Sequence, residues 1–211
     1  MLRSFSQVAA AALFALATIM VPHLTARAVA PHSSAAVRST ASASPHQISY
    51  KTAKRLIHQS EHTGMKMGKM VMFSGKSAHI IIIANQPGLK DMTFAIHGMV
   101  NPEVTVPVGA KVQLTLVNMD FGGGMAHGIV IGKLTPPYAT AVPVPVPGQI
   151  AQIPLLAPRS RQTRSQAKYY ADSTTFTAKK PGTYYYLCQM PTHAKMFKMY
   201  GKFEVVKPSQ P

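Results

Sequence analysis

The chain has little of three residue types: a single cysteine, Cys188, no tryptophan, and only 6 acidic residues among 211. A lone cysteine excludes an internal disulfide bond, so in an oxidising compartment its thiol must be buried, reactive or bound to a metal. The 6 carboxylates stand against 22 lysines and arginines, for a formal net charge of +16. Acid unfolds proteins largely by protonating carboxylates that the native state keeps ionised, so this scarcity predicts a protein that stays folded in acid.

The basic surplus does not by itself define a partner. Basic chains often bind nucleic acid or anionic membranes, but here the positive residues are scattered rather than clustered. The N-terminus also predicts export, which removes the chain from most nucleic acid. We therefore expect no nucleic-acid partner.

Residues 1–30 are predicted to form a signal peptide. Arg3 supplies a positive start, residues 8–21 are apolar, and small residues at 26–30 offer cleavage sites. The apolar stretch is too short for a confident membrane span, so we expect a soluble periplasmic protein without stable membrane insertion; an uncleaved anchor is the alternative. Residues 31–46 are small and polar, which predicts a flexible linker, and residues 47–208 can form one domain with a real core.

Short strands separated by turns dominate the chain after a helix predicted over residues 48–62. The segments at 66–73 and 78–84 are expected to pair as a hairpin, while residues 136–147 and 154–168 are expected to be irregular. Many short strands with little helix predict an all-β protein, an antiparallel β-sandwich with a short N-terminal helical extension. The remaining predicted strands cover residues 93–97, 103–107, 111–118, 127–131, 173–178, 183–188 and 200–206.

Residues 182–202 carry the strongest functional signal. Cys188 ends an aromatic strand, His193 follows five residues later, and two methionines lie beyond it. Thiolate, imidazole and thioether together are ligands that suit copper in both of its oxidation states. A second histidine from elsewhere would complete the site, and His127 is the best candidate because it follows a glycine-rich turn and begins a strand.

Two methionines compete for the fourth position. Met199 directly precedes the last predicted strand and is favoured over Met196. A separate group of methionines at positions 65, 67, 70 and 72 has two interpretations. Thioethers select copper(I), so the group could deliver copper, but alternating methionines also fill the core face of a strand, which we favour.

The residue pattern around these positions resembles the cupredoxins, the blue copper proteins, and most closely those that carry an N-terminal extension. The resemblance covers residues 48–207 and is carried by Phe73–Lys76, Asn101–Pro102, Pro136–Ala139 and, above all, Pro181–Ala194.

The resemblance implies a Greek-key β-sandwich that binds one copper ion per chain, cycling between Cu(I) and Cu(II). Its ligands would be His127, Cys188 and His193 in the plane, with Met199 as the axial ligand. It further implies a monomeric one-electron carrier in a periplasmic respiratory chain, used in ferrous-iron oxidation by an acidophile. A periplasmic or outer-membrane cytochrome c would be its redox partner.

The chain departs from the family pattern in one spacing and at two positions. Five residues separate His193 from Met199, where the family has four. Gly128 stands where the family has a serine after the first histidine ligand, which removes a hydroxyl that could hydrogen-bond near the metal. Asp120 stands where the family has an asparagine that braces the ligand loop.

Other functions are less well supported by the sequence. A multicopper oxidase needs clustered His-x-His motifs, and a binuclear copper centre needs a second cysteine; the chain has neither. We therefore expect no enzymatic activity. The alternative to an electron carrier is a periplasmic copper chaperone or storage protein that uses the methionine-rich strand.

Overall fold

The structure is a computed structural model that describes residues 45–121 and 124–207. The predicted signal peptide, the predicted linker up to residue 44 and residue 208 lie outside the described residues. Strand β1 (His46–Ser49) includes the last residue of the predicted linker, since His46 pairs with Ala171. The predicted N-terminal helix is confirmed as α1 (Tyr50–His62), which begins after β1 because the Ser49 hydroxyl accepts the backbone N–H of Thr52.

Two sheets pack face to face and confirm the predicted β-sandwich. The six-stranded sheet has the order β1-β11-β8-β4-β5-β6, and the seven-stranded sheet has the order β10-β9-β12-β13-β7-β3-β2. The elements after α1 are β2 (Met65–Met67), β3 (Met70–Met72), β4 (Ser77–Ala84), β5 (Phe94–Ile96), β6 (Met99–Val100), β7 (Glu103–Pro107), β8 (Lys111–Asn118), β9 (His127–Gly132), β10 (Ala151–Leu156), β11 (Lys168–Thr177), β12 (Gly182–Cys188), α2 (His193–Met196) and β13 (Tyr200–Val206).

Strand direction differs in part from the expected antiparallel arrangement. Three pairs are parallel: β4 with β8, β7 with β13, and β3 with β7. The predicted hairpin between residues 66–73 and 78–84 is also wrong. Gly68, with φ of 60°, turns the first segment back on itself as the β2–β3 hairpin, so β3 and β4 end up in different sheets.

Strand β10 is absent from the sequence-based predictions because Pro154 interrupts it. A proline cannot donate to a sheet ladder and is tolerated at an edge or an irregularity. β10 is the edge strand of its sheet, and its pairing with β9 shifts register between Ile153 and Leu156.

The unbroken isoleucine run of β4 reflects burial on both faces. Ile80 and Ile82 face the core between the sheets, whereas Ile81 and Ile83 belong to a second apolar cluster that includes Ala53 of α1. Successive side chains of a strand point to opposite faces, so a strand covered on both sides is apolar throughout.

The seven-stranded sheet brings the predicted ligands to one edge. β12 is antiparallel to both β9 and β13, so the end of β12 lies beside the starts of its two neighbours. Cys188 lies opposite Ile129 of β9, and Leu187 lies opposite Tyr200 of β13. His127 and Met199, which stand at or just before those strand starts, therefore lie near Cys188.

Candidate metal centre

Three buried donor atoms converge at this edge. The Sγ of Cys188 lies 3.8 Å from Nδ1 of His127 and 3.5 Å from Nδ1 of His193. Bonds from nitrogen and sulfur to a zinc-sized ion are about 2.0 and 2.3 Å long, so an ion bound at a trigonal angle separates the two donors by about 3.7 Å. The spacing of the side chains therefore fits a metal ion.

A buried carboxylate orients the first imidazole. Nε2 of His127 donates a hydrogen bond to Oδ2 of Asp120 at 3.1 Å, and the same oxygen accepts from Nδ2 of Asn85 at 3.0 Å. Because Nε2 carries the proton in this arrangement, Nδ1 presents its lone pair toward Cys188. A carboxylate that holds the far nitrogen of a histidine ligand fixes its tautomer and raises its basicity.

Burial keeps all three donors neutral in the protein alone. It raises the pKa of the Cys188 thiol to about 11, although backbone N–H groups of Met190 and Gly128 at the sulfur act in the opposite direction. Burial also lowers the pKa of His193 to about 4, and it lowers the pKa of His127 despite the bond to Asp120. The site thus offers two neutral imidazoles and a thiol that loses its proton only when a cation binds. Such a donor set suits a metal ion that prefers sulfur ligands.

The loop between Cys188 and β13 is tied back on itself. The backbone N–H of Cys188 donates to the carbonyl of Met199 at 3.0 Å, and the N–H of Met199 donates to the carbonyl of His193 at 3.1 Å. Nδ2 of Asn101 holds the carbonyl of Lys198 at 2.9 Å. These bonds fix the two ends of the loop against each other and so hold the backbone of the residues that carry the donors.

The two candidate methionines differ sharply in exposure. Met199 is 0% exposed and shares a buried cluster with Cys188, whereas Met196 is 67% exposed on the one-turn helix α2. A ligand to a buried metal must itself be buried, so the placement supports Met199.

The imidazole of His193 is not the outermost group at this end of the molecule. Its imidazole is 1% exposed, and the ring of Phe197 packs edge-on against it with centroids 5.7 Å apart. Phe197 and Met196 are the exposed apolar residues beyond it. The outermost layer at this end of the molecule is therefore apolar side chain rather than imidazole.

Close packing against the backbone explains why a glycine, Gly128, follows His127. A Cβ at Gly128 would lie 3.0 Å from the carbonyl oxygen of Ile153 and from the backbone nitrogen of Leu155. The β10 backbone thus occupies the space that a serine side chain would need.

Fold and site together define a cupredoxin, a blue copper protein that carries electrons through a single copper ion. The chain belongs to the rusticyanin family within that class. Rusticyanin of Acidithiobacillus ferrooxidans is 36% identical over 143 residues, which cover 68% of this chain and 71% of that protein. Rusticyanin of Acidithiobacillus ferridurans matches with the same identity and coverage.

Solved structures give the same result. A structure of reduced rusticyanin superposes with a TM-score of 0.66 at 30% identity, covering 77% of this chain and all of the other. A second rusticyanin structure, described as that of a copper protein, also has a TM-score of 0.66. No family model matches the chain. Among the residues that the structure describes, no helix combines the length and apolar character needed to cross a membrane.

Proposed function

We propose that this protein shuttles single electrons in a periplasmic respiratory chain of an acidophile, in the oxidation of ferrous iron. Its copper ion would be held by His127, Cys188 and His193, with Met199 as the fourth ligand. The observation that carries the proposal is the buried two-nitrogen, one-sulfur group, with sulfur-to-nitrogen distances of 3.8 and 3.5 Å, beside a fully buried thioether residue.

Bound copper supplies a one-electron couple between Cu(I) and Cu(II). The protein supplies rigidity: Asp120 holds one imidazole, the loop hydrogen bonds hold Met199 and His193, and the sheet holds Cys188. Donors that cannot rearrange keep one geometry in both oxidation states, so little reorganisation accompanies each transfer. Because the thiol has a pKa of about 11, metal binding near neutral pH releases its proton.

The proposed partner is a cytochrome c of the periplasm or outer membrane, docking over the metal end of the sandwich. Met196 and Phe197 are exposed apolar residues there, and Phe197 contacts the ring of His193. Electron-transfer partners typically bury a small area and dissociate quickly, so a small apolar face is sufficient. We propose that electrons leave through His193 and the edge of Phe197.

The acidic setting is supported by two features of the chain. The 6 carboxylates of the whole sequence limit the stability that protonation can remove. The relatives that it matches are rusticyanins of Acidithiobacillus. The periplasmic location depends on the predicted signal peptide.

Stopped-flow mixing in acid tests this role. We expect ferrous iron to bleach the oxidised copper protein, and an oxidised periplasmic cytochrome c then to restore its colour. Phe197→Ala should slow the second step, while Phe121→Ala, which changes another exposed phenylalanine, serves as the control. A copper protein that ferrous iron reduces but no cytochrome reoxidises would contradict the proposed partner.

A further inference from the structure

The β2–β3 hairpin presents four methionines on one face. Met65 pairs across the strands with Met72, and Met67 pairs with Met70, while Lys66 and Val71 alternate with them on the other face. Side chains directly opposite each other in an antiparallel pair have Cβ atoms about 5 Å apart. The register therefore gathers four thioethers into one compact patch.

This patch does not fill the core, contrary to the expectation from the sequence. Met65 is 58% exposed and Met67 is 48% exposed, whereas Val71 is the hairpin residue that is fully buried. Singly exposed apolar side chains are normal on protein surfaces, but a cluster of one residue type on one face is not. Because Met65 and Met67 are largely exposed, packing in the core does not explain why methionine stands at these two positions.

Their chemistry points to a soft metal ion. Thioethers select copper(I) among the biological metals, and the unbranched methionine side chain has enough torsions for several sulfurs to converge on one ion. One sulfur is already positioned, because the hydroxyl of Thr105 donates to Sδ of Met70 at 3.1 Å. The hairpin itself contains no carboxylate or histidine that would favour a harder ion.

Two described groups near the patch could compete with its sulfurs, and both already have a partner. His79 lines a cavity with Met65 and Met72, but its Nε2 lies 3.1 Å from Oγ1 of Thr115. Glu103 on β7 pairs in register with Met70, but its carboxylate lies 3.5 Å from Nζ of Lys202. Strand β3 is separated from β12 by β7 and β13, which at about 4.8 Å per strand places the patch roughly 14 Å from the Cys188 strand. The two sites therefore share no ligand.

We propose that the face formed by Met65, Met67, Met70 and Met72 binds a copper(I) ion, as a second metal site of this protein. The site is independent of the electron-transfer centre and does not rest on its proposed function. The carrier could then hold a copper(I) ion in addition to the ion at its electron-transfer centre. Copper(I) is the oxidation state that thioethers bind best.

The experiment uses the full copper-loaded protein in its reduced form, without oxygen, labelled with ¹³C at the methionine methyl groups. Copper(I) is added against a competing chelator. We expect about one further equivalent to be retained, with the methyl resonances of the four hairpin methionines shifting, since thioether coordination acts on the adjacent methyl.

Leucine variants provide the comparison, because leucine has nearly the volume of methionine. Met65→Leu combined with Met67→Leu should lose the further equivalent, and Met92→Leu, a loop methionine outside the hairpin, should retain it. After reoxidation, the visible band of the electron-transfer centre should be the same in all variants, which reports folding and separates failure of one site from failure of the other. No further equivalent, or one that survives in the double variant, would overturn the proposal.

Discussion

The imidazole of His127 donates from Nε2 to the carboxylate of Asp120 at 3.1 Å, and both side chains are buried. This pair connects the metal centre to a negative charge at a position where the wider family has an asparagine. A carboxylate placed behind a histidine ligand makes that ligand more basic, and it favours the more highly charged Cu(II) over Cu(I).

Asp120→Asn should therefore raise the reduction potential. The amide keeps the shape of the side chain but removes its charge, and copper(II) affinity should fall by about 10- to 100-fold, the usual cost of losing such an outer partner. Spectroelectrochemistry and competition with a chelator measure the two effects. Asp91→Asn is the matched control, because Asp91 also acts on His127 through its charge but lies exposed, without a hydrogen bond to it. An unchanged or lowered potential in Asp120→Asn would show that the carboxylate does not tune the metal.

The copper-free protein should be sensitive to acid even though it has few carboxylates. His193 has a pKa of about 4 when folded, below its ordinary value of 6.5, so the unfolded state binds more protons between these two pH values. The free energy of unfolding should therefore fall as the pH drops through this window, by on the order of 3 kcal/mol from His193 alone. His127, whose pKa is also lowered, acts in the same direction.

Copper should raise the free energy of unfolding at both pH values without removing its decline in acid, because the coordinated imidazoles and thiolate bind no proton in the folded state and take up protons when unfolding releases them. Denaturant unfolding at pH 7 and pH 4, with and without copper, provides the measurement. Both forms should lose stability between the two pH values, and the copper-loaded protein should remain the more stable form. A copper-free protein that is equally stable at both pH values would contradict the role assigned to His193.

Replacing the two loop methionines one at a time distinguishes the axial ligand. Met199→Leu removes the buried fourth donor, and a site with three ligands suits Cu(I) better than the more highly charged Cu(II), so the reduction potential should rise. Met196→Leu changes an exposed side chain and should leave the potential unchanged. The opposite pattern would assign the axial position to Met196.

Local pattern predicted several of the strands, including the one that ends at Cys188. Alternation of polar and apolar residues predicted β8, and the aromatic run ending at Cys188 predicted β12, because both signals depend only on neighbouring residues. The motif around Cys188 and His193 likewise lies within one short loop, so the sequence alone was enough to single it out.

Pairing between distant strands was harder to predict. The parallel partners of β7 and the separation of β3 from β4 depend on how the two sheets close, which no local pattern records. The exposure of Met65 and Met67 follows from that pairing, since the alternation of the segment fits either face. The cover of Phe197 over His193 was missed for a related reason: it depends on the turn of helix α2.

The most direct test of the central claim is the visible spectrum of the purified protein during titration with copper(II). We expect a strong charge-transfer band that grows to saturation at about one equivalent per chain, because a thiolate and two imidazoles form one trigonal site. The band should be absent in Cys188→Ser and retained in Met196→Leu. No band in the wild-type protein, or a band that survives in Cys188→Ser, would contradict the assignment of Cys188 as the copper ligand.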